Sequence, residues 1–248
     1  MRIALLSDIH GNLPALEAVV ADIRRRGADL IVNLGDSLSG PLLARETAQY
    51  LMAEGWPTLA GNHERQILEI TPERPGGASD AHARAQLGAA ELAWLGSLPG
   101  TLRLNDEVFL CHGTPRSDLE YFLESVAAPG VRVAEAAEVA ERLAGETAAV
   151  VACGHTHVPR ALRSAAGQLL LNPGSVGLQA YDDDQPRFHR VETGSTDARY
   201  ALLERDAAGR WGCALHALPY DFRAMAALAR RNGRPDWERA LLSGYMPR

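Results

Sequence analysis

The chain has 248 residues, which is enough for one large domain or two small ones and for a substantial buried core. Hydrophobic residues make up 46% and charged residues 23%, a balance that is typical of soluble globular proteins and argues against a disordered, collagen-like or coiled-coil chain. The formal net charge of −6 argues against bulk binding of nucleic acid or of an anionic membrane. Because no apolar stretch approaches the roughly 20 residues of a membrane-spanning helix and no basic leader opens the chain, we expect a cytoplasmic location and no membrane contact.

The basic residues and the cysteines exclude further chemistries. All 25 basic residues are arginines, so neither a Schiff-base lysine nor a P-loop lysine is available. The three cysteines are odd in number and widely spaced, which predicts reduced thiols rather than a disulfide framework or a Cys-x-x-Cys zinc site. Because the chain is acidic and has no lysine, any phosphate-bearing ligand would have to be held by groups concentrated at its binding site.

Short apolar runs alternate with amphipathic stretches near the start of the chain. The pattern predicts strands at 2–7, 30–34 and 57–60, with helices at 13–26 and 42–52 between them. Alternation of this kind predicts a parallel sheet covered by helices.

The rest of the chain is less regular. After a Pro/Gly-rich loop at 71–77, the pattern predicts helices at 79–95 and 133–143, strands at 101–104, 108–111, 149–153 and 199–205, and a hairpin of 160–164 with 169–172. No internal repeat or linker divides the chain, so we predict a single domain over 1–248 with one or two helices in a C-terminal extension from about residue 219. The polar stretch 182–197 could be a lid or an excursion without a function.

Five short motifs each follow a predicted strand: Asp8-x-His10, Gly35-Asp36, Gly61-Asn62-His63-Glu64, His112-Gly113 and Gly154-His155-Thr156-His157. The carboxyl ends of the strands form the ligand crevice of an open α/β sheet. Asp36 lies 28 residues after Asp8 and 26 before Asn62, which matches successive strand-helix-strand units. We therefore expect these side chains to meet at one edge of the sheet.

The residue types of these motifs indicate metal binding. Carboxylates, neutral imidazoles and one amide oxygen form a mixed donor set, which suits a borderline divalent ion such as Mn, Fe or Zn better than an all-oxygen calcium site. Seven such groups exceed the needs of one ion, so two ions are predicted. Two metals about 3.5–4 Å apart can bind a bridging hydroxide, clamp phosphate oxygens during in-line attack and supply the missing positive charge.

In this order, the five motifs resemble those of the calcineurin-like metallophosphoesterase superfamily over residues 1 to about 180. The surrounding segments SDIHGN, GDSLSGP and LNPGSVG resemble its small bacterial and archaeal phosphoesterases. The resemblance implies a two-sheet β-sandwich flanked by helices, a four-layer α/β/β/α fold, in place of one parallel sheet. It also implies two divalent cations, with Mn favoured and Fe, Zn or Ni as alternatives.

The resemblance also implies a role for each motif residue. One metal is expected on Asp8, His10 and His157, the second on Asn62, His112 and His155, with Asp36 bridging both. His63 is expected over the phosphate, where it stabilises charge or protonates the leaving oxygen, with Glu64 as a candidate to orient the imidazole; Asp36, Asn62 and His63 are the predicted catalytic residues. Candidate substrate-binding residues are Asn12, Asn62, His63 and Arg160.

Alternatives remain open at this point. Taken alone, Asp36 could cap a helix and Gly61-Asn62 could form an ordinary turn, while Asn12 and Arg160 could equally support the backbone. The protein-phosphatase branch carries an Asp and an Arg where this chain has residues 37–41, SLSGP, which argues against a phosphoprotein substrate.

The expected activity is hydrolysis of a phosphomonoester or phosphodiester by a metal-bridging hydroxide. A phosphoanhydride hydrolase for bis-nucleoside polyphosphates and a non-catalytic interaction scaffold are the alternatives. The expected partner is a small phosphorylated or nucleotide substrate, and an oligomer is left open.

Overall fold

The computed structural model describes all residues 1–248. Its thirteen strands are β1 (Arg2–Leu6), β2 (Leu30–Asn33), β3 (Thr101–Asn105), β4 (Val108–Cys111), β5 (Glu124–Ala127), β6 (Gly130–Val133), β7 (Val150–Ala152), β8 (Arg160–Arg163), β9 (Leu169–Asn172), β10 (Ala180–Asp183), β11 (His189–Glu192), β12 (Ala198–Arg205) and β13 (Trp211–Leu218). Its eight helices are α1 (Leu13–Arg26), α2 (Ala44–Glu54), α3 (Asn62–Leu68), α4 (Ala78–Gln86), α5 (Ala89–Ser97), α6 (Ala136–Arg142), α7 (Phe222–Arg231) and α8 (Pro235–Ser243).

Two mixed sheets form the centre of the molecule. The first has the order β13-β12-β1-β2, in which only β1 and β2 are parallel. The second has the order β3-β4-β7-β9-β8, in which β4, β7 and β9 are parallel and the two outer strands are antiparallel to them. Two separate hairpins, β5-β6 and β10-β11, complete the strands.

The side-chain alternation of the strands explains how the layers stack. Ile3 and Leu5 of β1 belong to the core cluster that also holds Val108 and Leu110 of β4, so this face meets the second sheet. Residues one position along the same strand, such as Leu6, pack with α1 on the other face. Strands that are apolar on both faces are typical of sheets covered on both sides.

The outer face of the second sheet is covered in the same way. Val151 and Leu170 of its central strands pack with Val139 and Leu143 at α6. The implied four-layer order of helix, sheet, sheet and helix is therefore confirmed, and the single parallel sheet predicted from alternation alone is wrong.

Two predicted elements differ from the structure. The predicted helix 79–95 is two helices, because the chain is extended at Gly88 and the Glu91 carboxylate accepts a hydrogen bond from the Gly88 amide at 2.9 Å to start α5. The predicted strand 57–60 forms only an isolated parallel bridge between Asn33 and Thr58.

Other strands were not predicted. The hairpins β5-β6 and β10-β11 consist of four-residue strands, which are too short for a clear period-2 pattern. The first hairpin also moves the start of the predicted helix 133–143 to Ala136. The eight-residue strand β13 was also not predicted, and the two C-terminal helices begin at Phe222, close to the expected residue 219. The polar stretch 182–197 includes most of the hairpin β10-β11.

Two further findings concern the chain as a whole. No helix combines the length and the apolar character that crossing a membrane requires. The three cysteines are all free thiols, with Cys111 and Cys153 buried.

A buried carboxylate ties α1 to the first sheet. Asp22 is 2% exposed and accepts hydrogen bonds from the Tyr200 hydroxyl, from Arg25 and, at 2.7 Å, from Arg26. Burial opposes its charge, but the Tyr200 hydroxyl and Arg26 outweigh this and hold the pKa of Asp22 below its ordinary value. The ionised form therefore stabilises the folded protein.

We predict that Asp22→Asn lowers the free energy of unfolding at pH 7 by about 1–3 kcal/mol, the usual cost of breaking a buried charged hydrogen-bond group. Because the folded pKa is lowered, this contribution is complete above the unfolded pKa of about 3.9 and is lost as the pH falls through the folded value. Urea unfolding of both proteins at pH 7 and pH 3 measures the difference. The exposed Asp106→Asn serves as the control, and an unchanged gap between pH 7 and pH 3 would contradict the role of the charge.

Candidate metal centre and active site

The five motifs begin where parallel strands of the two sheets end. Asp8 and His10 follow β1, Asp36 follows β2, His112 follows β4, and His155 and His157 follow β7. Asn62 and His63 are the first two residues of α3, which starts just after the bridge to β2. Strands of both sheets therefore deliver their motif residues to one end of the sandwich.

Asp8, His10 and His157 form the first cluster of possible metal ligands. One donor atom of each lies within 4.8 Å of the others, and all three residues are buried. The Nε2 atoms of His10 and His157 are 3.1 Å apart, and His157 Nε2 is 3.3 Å from Asp8 Oδ1. Three donors of this kind at this spacing could hold a divalent cation.

Asp36, His112 and His155 form the second cluster, again with donor atoms within 4.8 Å of one another. His112 Nε2 lies 3.0 Å from Asp36 Oδ2. The backbone amide of His155 donates to Asp8 Oδ2 at 3.2 Å, so the two clusters are joined directly.

Unpaired polar atoms in the same region test whether the residues fit a metal. Asn62 Oδ1 is buried and has no hydrogen-bond partner. Asp8 Oδ1 and His112 Nε2 are also buried, and each is near only another predicted ligand, His157 Nε2 at 3.3 Å and Asp36 Oδ2 at 3.0 Å. Buried polar atoms normally have partners, because an unpaired one costs free energy. All three atoms belong to predicted metal ligands, so the seven residues fit the expected pair of divalent cations.

Backbone carbonyls orient the four histidines of the two clusters. In each, one ring nitrogen is held by a carbonyl oxygen, which fixes the ring and turns the other nitrogen toward the clusters. The pairs are His10 Nδ1 with Ser39 at 2.8 Å, His112 Nδ1 with Leu34 at 2.9 Å, His157 Nδ1 with Leu178 at 2.7 Å, and His155 Nε2 with Leu119 at 3.0 Å. Three rings thus present Nε2 to the centre and His155 presents Nδ1.

Strained backbone is concentrated in the same residues. Asp8, His10, Asp36, His155 and His157 have φ between 53° and 67°, and only one other non-glycine residue in the chain has a positive φ. Such conformations cost about 1–3 kcal/mol each and typically persist at functional sites. These backbone conformations direct the side chains toward the two donor clusters, whereas an extended backbone would direct them elsewhere.

Two motif glycines allow the close approach of the loops. A Cβ at Gly61 would lie 2.2 Å from Asp36 Oδ1, and a Cβ at Gly154 would lie 1.9 Å from Ser7 Oγ. Both distances are far below contact, so any side chain at these positions would displace a ligand or its support.

Glu64 has a different role from the expected one. Its carboxylate accepts hydrogen bonds from the backbone amides of Asp36 at 2.8 Å, Ser37 at 2.7 Å and Gly61 at 2.8 Å. Burial and the nearby Asp36 carboxylate raise the pKa of Glu64 to about 7. Glu64 therefore joins the loop after β2 to the start of α3, and the prediction that it orients the His63 ring is wrong.

Asp80 of α4 orients His63 instead. Its Oδ1 lies 2.7 Å from His63 Nδ1, and its side chain is 6% exposed while that of His63 is 29% exposed. Burial opposes the positive charge, but the Asp36 and Asp80 carboxylates outweigh it and raise the pKa of His63 to about 9. Asp80 was missed because it has no motif around it and lies 17 residues from His63.

The other imidazoles divide into two kinds. Burial, with help from the charges of His157 and His112 respectively, lowers the pKa of both His10 and His155 to about 4. Both are therefore neutral at pH 7, which is the form that binds a metal. For His112, the Asp36 carboxylate outweighs burial and raises the pKa to about 10.

Comparison with known proteins shows which family this chain belongs to. Residues 1–196 match the sequence family described as the calcineurin-like phosphoesterase superfamily domain. The chain belongs to this superfamily. Its motif residues and two-sheet fold are therefore the shared features of a phosphoesterase family, and a metal-binding role for the two clusters agrees with that membership.

Individual relatives resemble this protein over nearly the whole of its chain. A metallophosphoesterase from Sphaerobacter thermophilus has a similar structure, with a TM-score of 0.77 and 26% identity over 99% of this chain and 100% of the other. A hypothetical protein from Pyrococcus horikoshii OT3 shares the fold, with a TM-score of 0.74 and 16% identity over 99% of both chains. An uncharacterised protein of Methanocaldococcus jannaschii is 24% identical over 95% of this chain and 94% of its own length.

The clusters open into a cavity of about 1040 Å³. His10, Asp36, Asn62, His155 and His157 line its base together with His63, whereas Asp8 and His112 are buried behind them. Its walls come from the segment 119–126, the hairpin β10-β11 and α8. The first part of the polar stretch 182–197, up to Arg187, is therefore part of the cavity wall.

Two predicted substrate-binding residues do not line this cavity. Asn12 caps α1, where its Oδ1 accepts from the Ala15 amide at 3.3 Å and its Nδ2 donates to the Gly177 carbonyl at 2.8 Å. Arg160 is paired through Nε with the buried carboxylate of Glu124. Both side chains hold the loops of the site in place, which corrects the expectation of direct substrate contact.

We predict that Asp36→Asn lowers the affinity for divalent cations at least tenfold, because it removes a negative charge from the second cluster and alters the support of His112. Elemental analysis after dialysis against a fixed Mn²⁺ concentration measures the bound ions per chain. Asp182→Asn, an exposed carboxylate on the cavity wall, is the matched control and should bind as the wild type does. Equal metal content in the wild type and in Asp36→Asn would contradict the assignment.

Proposed function

We propose that the protein is a metal-dependent phosphoesterase that hydrolyses a phosphomonoester or phosphodiester with two divalent cations bound. The observation that supports this most is the presence of both donor clusters and the independently held His63 at the base of one cavity. The membership of residues 1–196 in a phosphoesterase superfamily agrees with it.

We assign the first cation to Asp8, His10 and His157. We assign the second to Asn62, His112 and His155, with Asp36 shared between them. The mixed nitrogen and oxygen donors favour Mn²⁺, with Fe, Zn or Ni as alternatives. When bound, the two cations supply the positive charge for the phosphate and activate the attacking water.

His63 acts on the leaving group in this proposal. Asp80 holds Nδ1 of the ring at 2.7 Å, which leaves Nε2 free to face the cavity. A protonated imidazole can stabilise charge on the phosphate and donate a proton to the leaving oxygen. Asp80 is a positioning residue, since it fixes the ring without lining the cavity itself.

The charges of the cavity favour an ester over a phosphoanhydride. Apart from Asp36, five carboxylates and three guanidinium groups line it. The arginines are already engaged: Arg142 with two carbonyls and Ser125, Arg187 with the Val126 carbonyl, and Arg234 with Asp236. Three of the carboxylates are also paired with arginines, but Asp182 and Asp183 are not. A polyphosphate bridge would meet these two charges outside the metal centre, whereas a single phosphate would contact only the cations and His63.

A non-catalytic scaffold is the less favoured alternative. A protein of that kind has no need to keep every metal ligand, or a polar ring at position 63. All seven predicted ligands, His63 and its Asp80 partner are present in this chain.

The direct test measures metal content together with hydrolysis. After reconstitution with Mn²⁺, p-nitrophenyl phosphate, bis(p-nitrophenyl) phosphate and a bis-nucleoside tetraphosphate are offered at equal concentration. We expect about two ions per chain and metal-dependent release of p-nitrophenol from at least one ester. Turnover of the tetraphosphate alone would support the anhydride alternative, and two bound ions without any turnover would support the scaffold.

We predict that His63→Ala lowers kcat by about 10²–10⁴-fold while two ions remain bound, because the ring contributes proton transfer rather than metal ligation. Steady-state kinetics and elemental analysis on the same preparation separate the two effects. His82→Ala removes a histidine that lies outside the cavity and should leave both readouts unchanged. Full activity in His63→Ala would rule out the proposed role.

For Asp80→Asn we expect a smaller loss, about tenfold to a hundredfold in kcat with little change in KM. The amide keeps the shape of the carboxylate but weakens its hold on Nδ1. Asp80→Glu, which restores the charge, should recover part of the rate. An equal loss of kcat in both variants would point to a purely structural role for Asp80.

A further inference from the structure

The cavity is much larger than a phosphate group requires. Its volume of about 1040 Å³ is at the upper end of the range for sites that enclose whole organic ligands. The proposed metal ligands and His63 occupy only its base. The remaining space can accept an organic group of the ester, so its walls indicate the substrate class that the proposed function leaves open.

Two large aromatic side chains lie beside the first metal cluster. The ring of Tyr181 is 4.7 Å from that of His157, and the ring of Trp237 is 5.8 Å from that of His10. The His10 and His157 rings are themselves 4.9 Å apart, so the four rings form a continuous series from one wall across the base to the other aromatic ring. Both Tyr181 and Trp237 line the cavity.

Both aromatic rings are held in place before any ligand binds. The Tyr181 hydroxyl is 2.8 Å from that of Tyr121, which in turn lies 2.9 Å from His189 Nε2. Trp237 packs over Gly40, where a Cβ would approach its ring to 2.7 Å. Rigid aromatic surfaces lose little conformational entropy when a ligand contacts them.

Arg234 completes the wall on the side of Trp237. Its guanidinium carbon is 5.6 Å from the Trp237 ring, and its Nη1 donates to Ser79 Oγ at 2.8 Å. The side chain is also paired with Asp236. The wall therefore combines an aromatic face with polar groups and no unpaired positive charge.

This wall favours a planar, polar and uncharged group. Most side chains that line the cavity are polar or charged, which argues against a long aliphatic chain. Asp182 and Asp183, which line the cavity without an arginine partner, argue against a second anionic group on the substrate. A nucleobase has a flat π surface and an edge of hydrogen-bond donors and acceptors, and it carries no charge.

We propose that Tyr181 and Trp237 bind the base of a nucleoside that is esterified to the scissile phosphate. This inference rests on the proposed phosphoesterase function and adds its substrate class. Trp237 belongs to α8, beyond the residues 1–196 that match the superfamily. The C-terminal extension therefore supplies one of the two proposed base-binding residues, and β10 supplies the other.

A matched pair of diesters tests the inference. Thymidine 5′-(p-nitrophenyl phosphate) and methyl p-nitrophenyl phosphate release the same leaving group and differ only in the second ester group. We expect the Mn²⁺-loaded wild type to prefer the thymidine ester by at least tenfold in kcat/KM. Tyr181→Leu and Trp237→Leu should each reduce this preference about tenfold, the usual size of one lost base-stacking contact.

The preference is a ratio measured on one preparation, so it does not depend on how much of a variant is folded. This matters for Trp237, which is 6% exposed and packs with α7 and the first residue of β10. Leu242→Ala, an exposed position on the same helix, is the control and should keep the wild-type ratio. Equal kcat/KM for the two diesters in the wild type would overturn the inference while leaving the phosphoesterase proposal intact.

A binding measurement separates failure of the inference from failure of the proposed function. Calorimetric titration of the metal-loaded protein compares thymidine 5′-monophosphate with methyl phosphate. If no ester is hydrolysed, the phosphoesterase proposal fails, and tighter binding of the thymidine compound that is lost in Tyr181→Leu would still support the base site. Equal affinity for the two monophosphates would overturn it.

Discussion

The site depends on keeping charged and polar ligands close together on strained backbone. Asp8, His10, Asp36, His155 and His157 all have left-handed conformations that the chain would not adopt in isolation. Buried hydrogen bonds hold these loops in position, above all the Glu64 carboxylate on the amides of Asp36, Ser37 and Gly61. Burial of the apolar core between the two sheets stabilises the fold and offsets the free-energy cost of this strained backbone. A metal site of this kind is therefore a property of the whole sandwich.

Apart from His63, the chain places little free positive charge in the cavity for the proposed phosphate chemistry. The protein is acidic and lysine-free, and the arginines that line the cavity are engaged by carbonyls or carboxylates. Bound cations resolve this difficulty, because they concentrate charge at one point and leave the rest of the cavity free to select the organic group. The proposed metal chemistry at the base and the proposed aromatic recognition on the walls thus come from different elements.

Those elements also differ in their place along the chain. The metal clusters come from loops after β1, β2, β4 and β7, within the residues that match the superfamily. Part of the cavity wall comes from α8, which packs with α7 against the first residue of β10 through one apolar cluster. The proposed metal site and part of the cavity wall are therefore built from different parts of the chain.

The sequence by itself predicted the residues that the structure brings into two donor clusters, because five motifs with strand-helix spacing name them directly, and it predicted most elements around them. It also predicted the two-sheet fold through the resemblance, whereas alternation alone predicted a single parallel sheet. Only the tertiary structure decided that Asp80 holds His63, that Glu64 holds backbone amides, and that Asn12 and Arg160 support loops. The physical reason is that ligand identity is a local property of a motif, whereas hydrogen-bond partners and cavity walls arise from contacts between residues far apart in the chain.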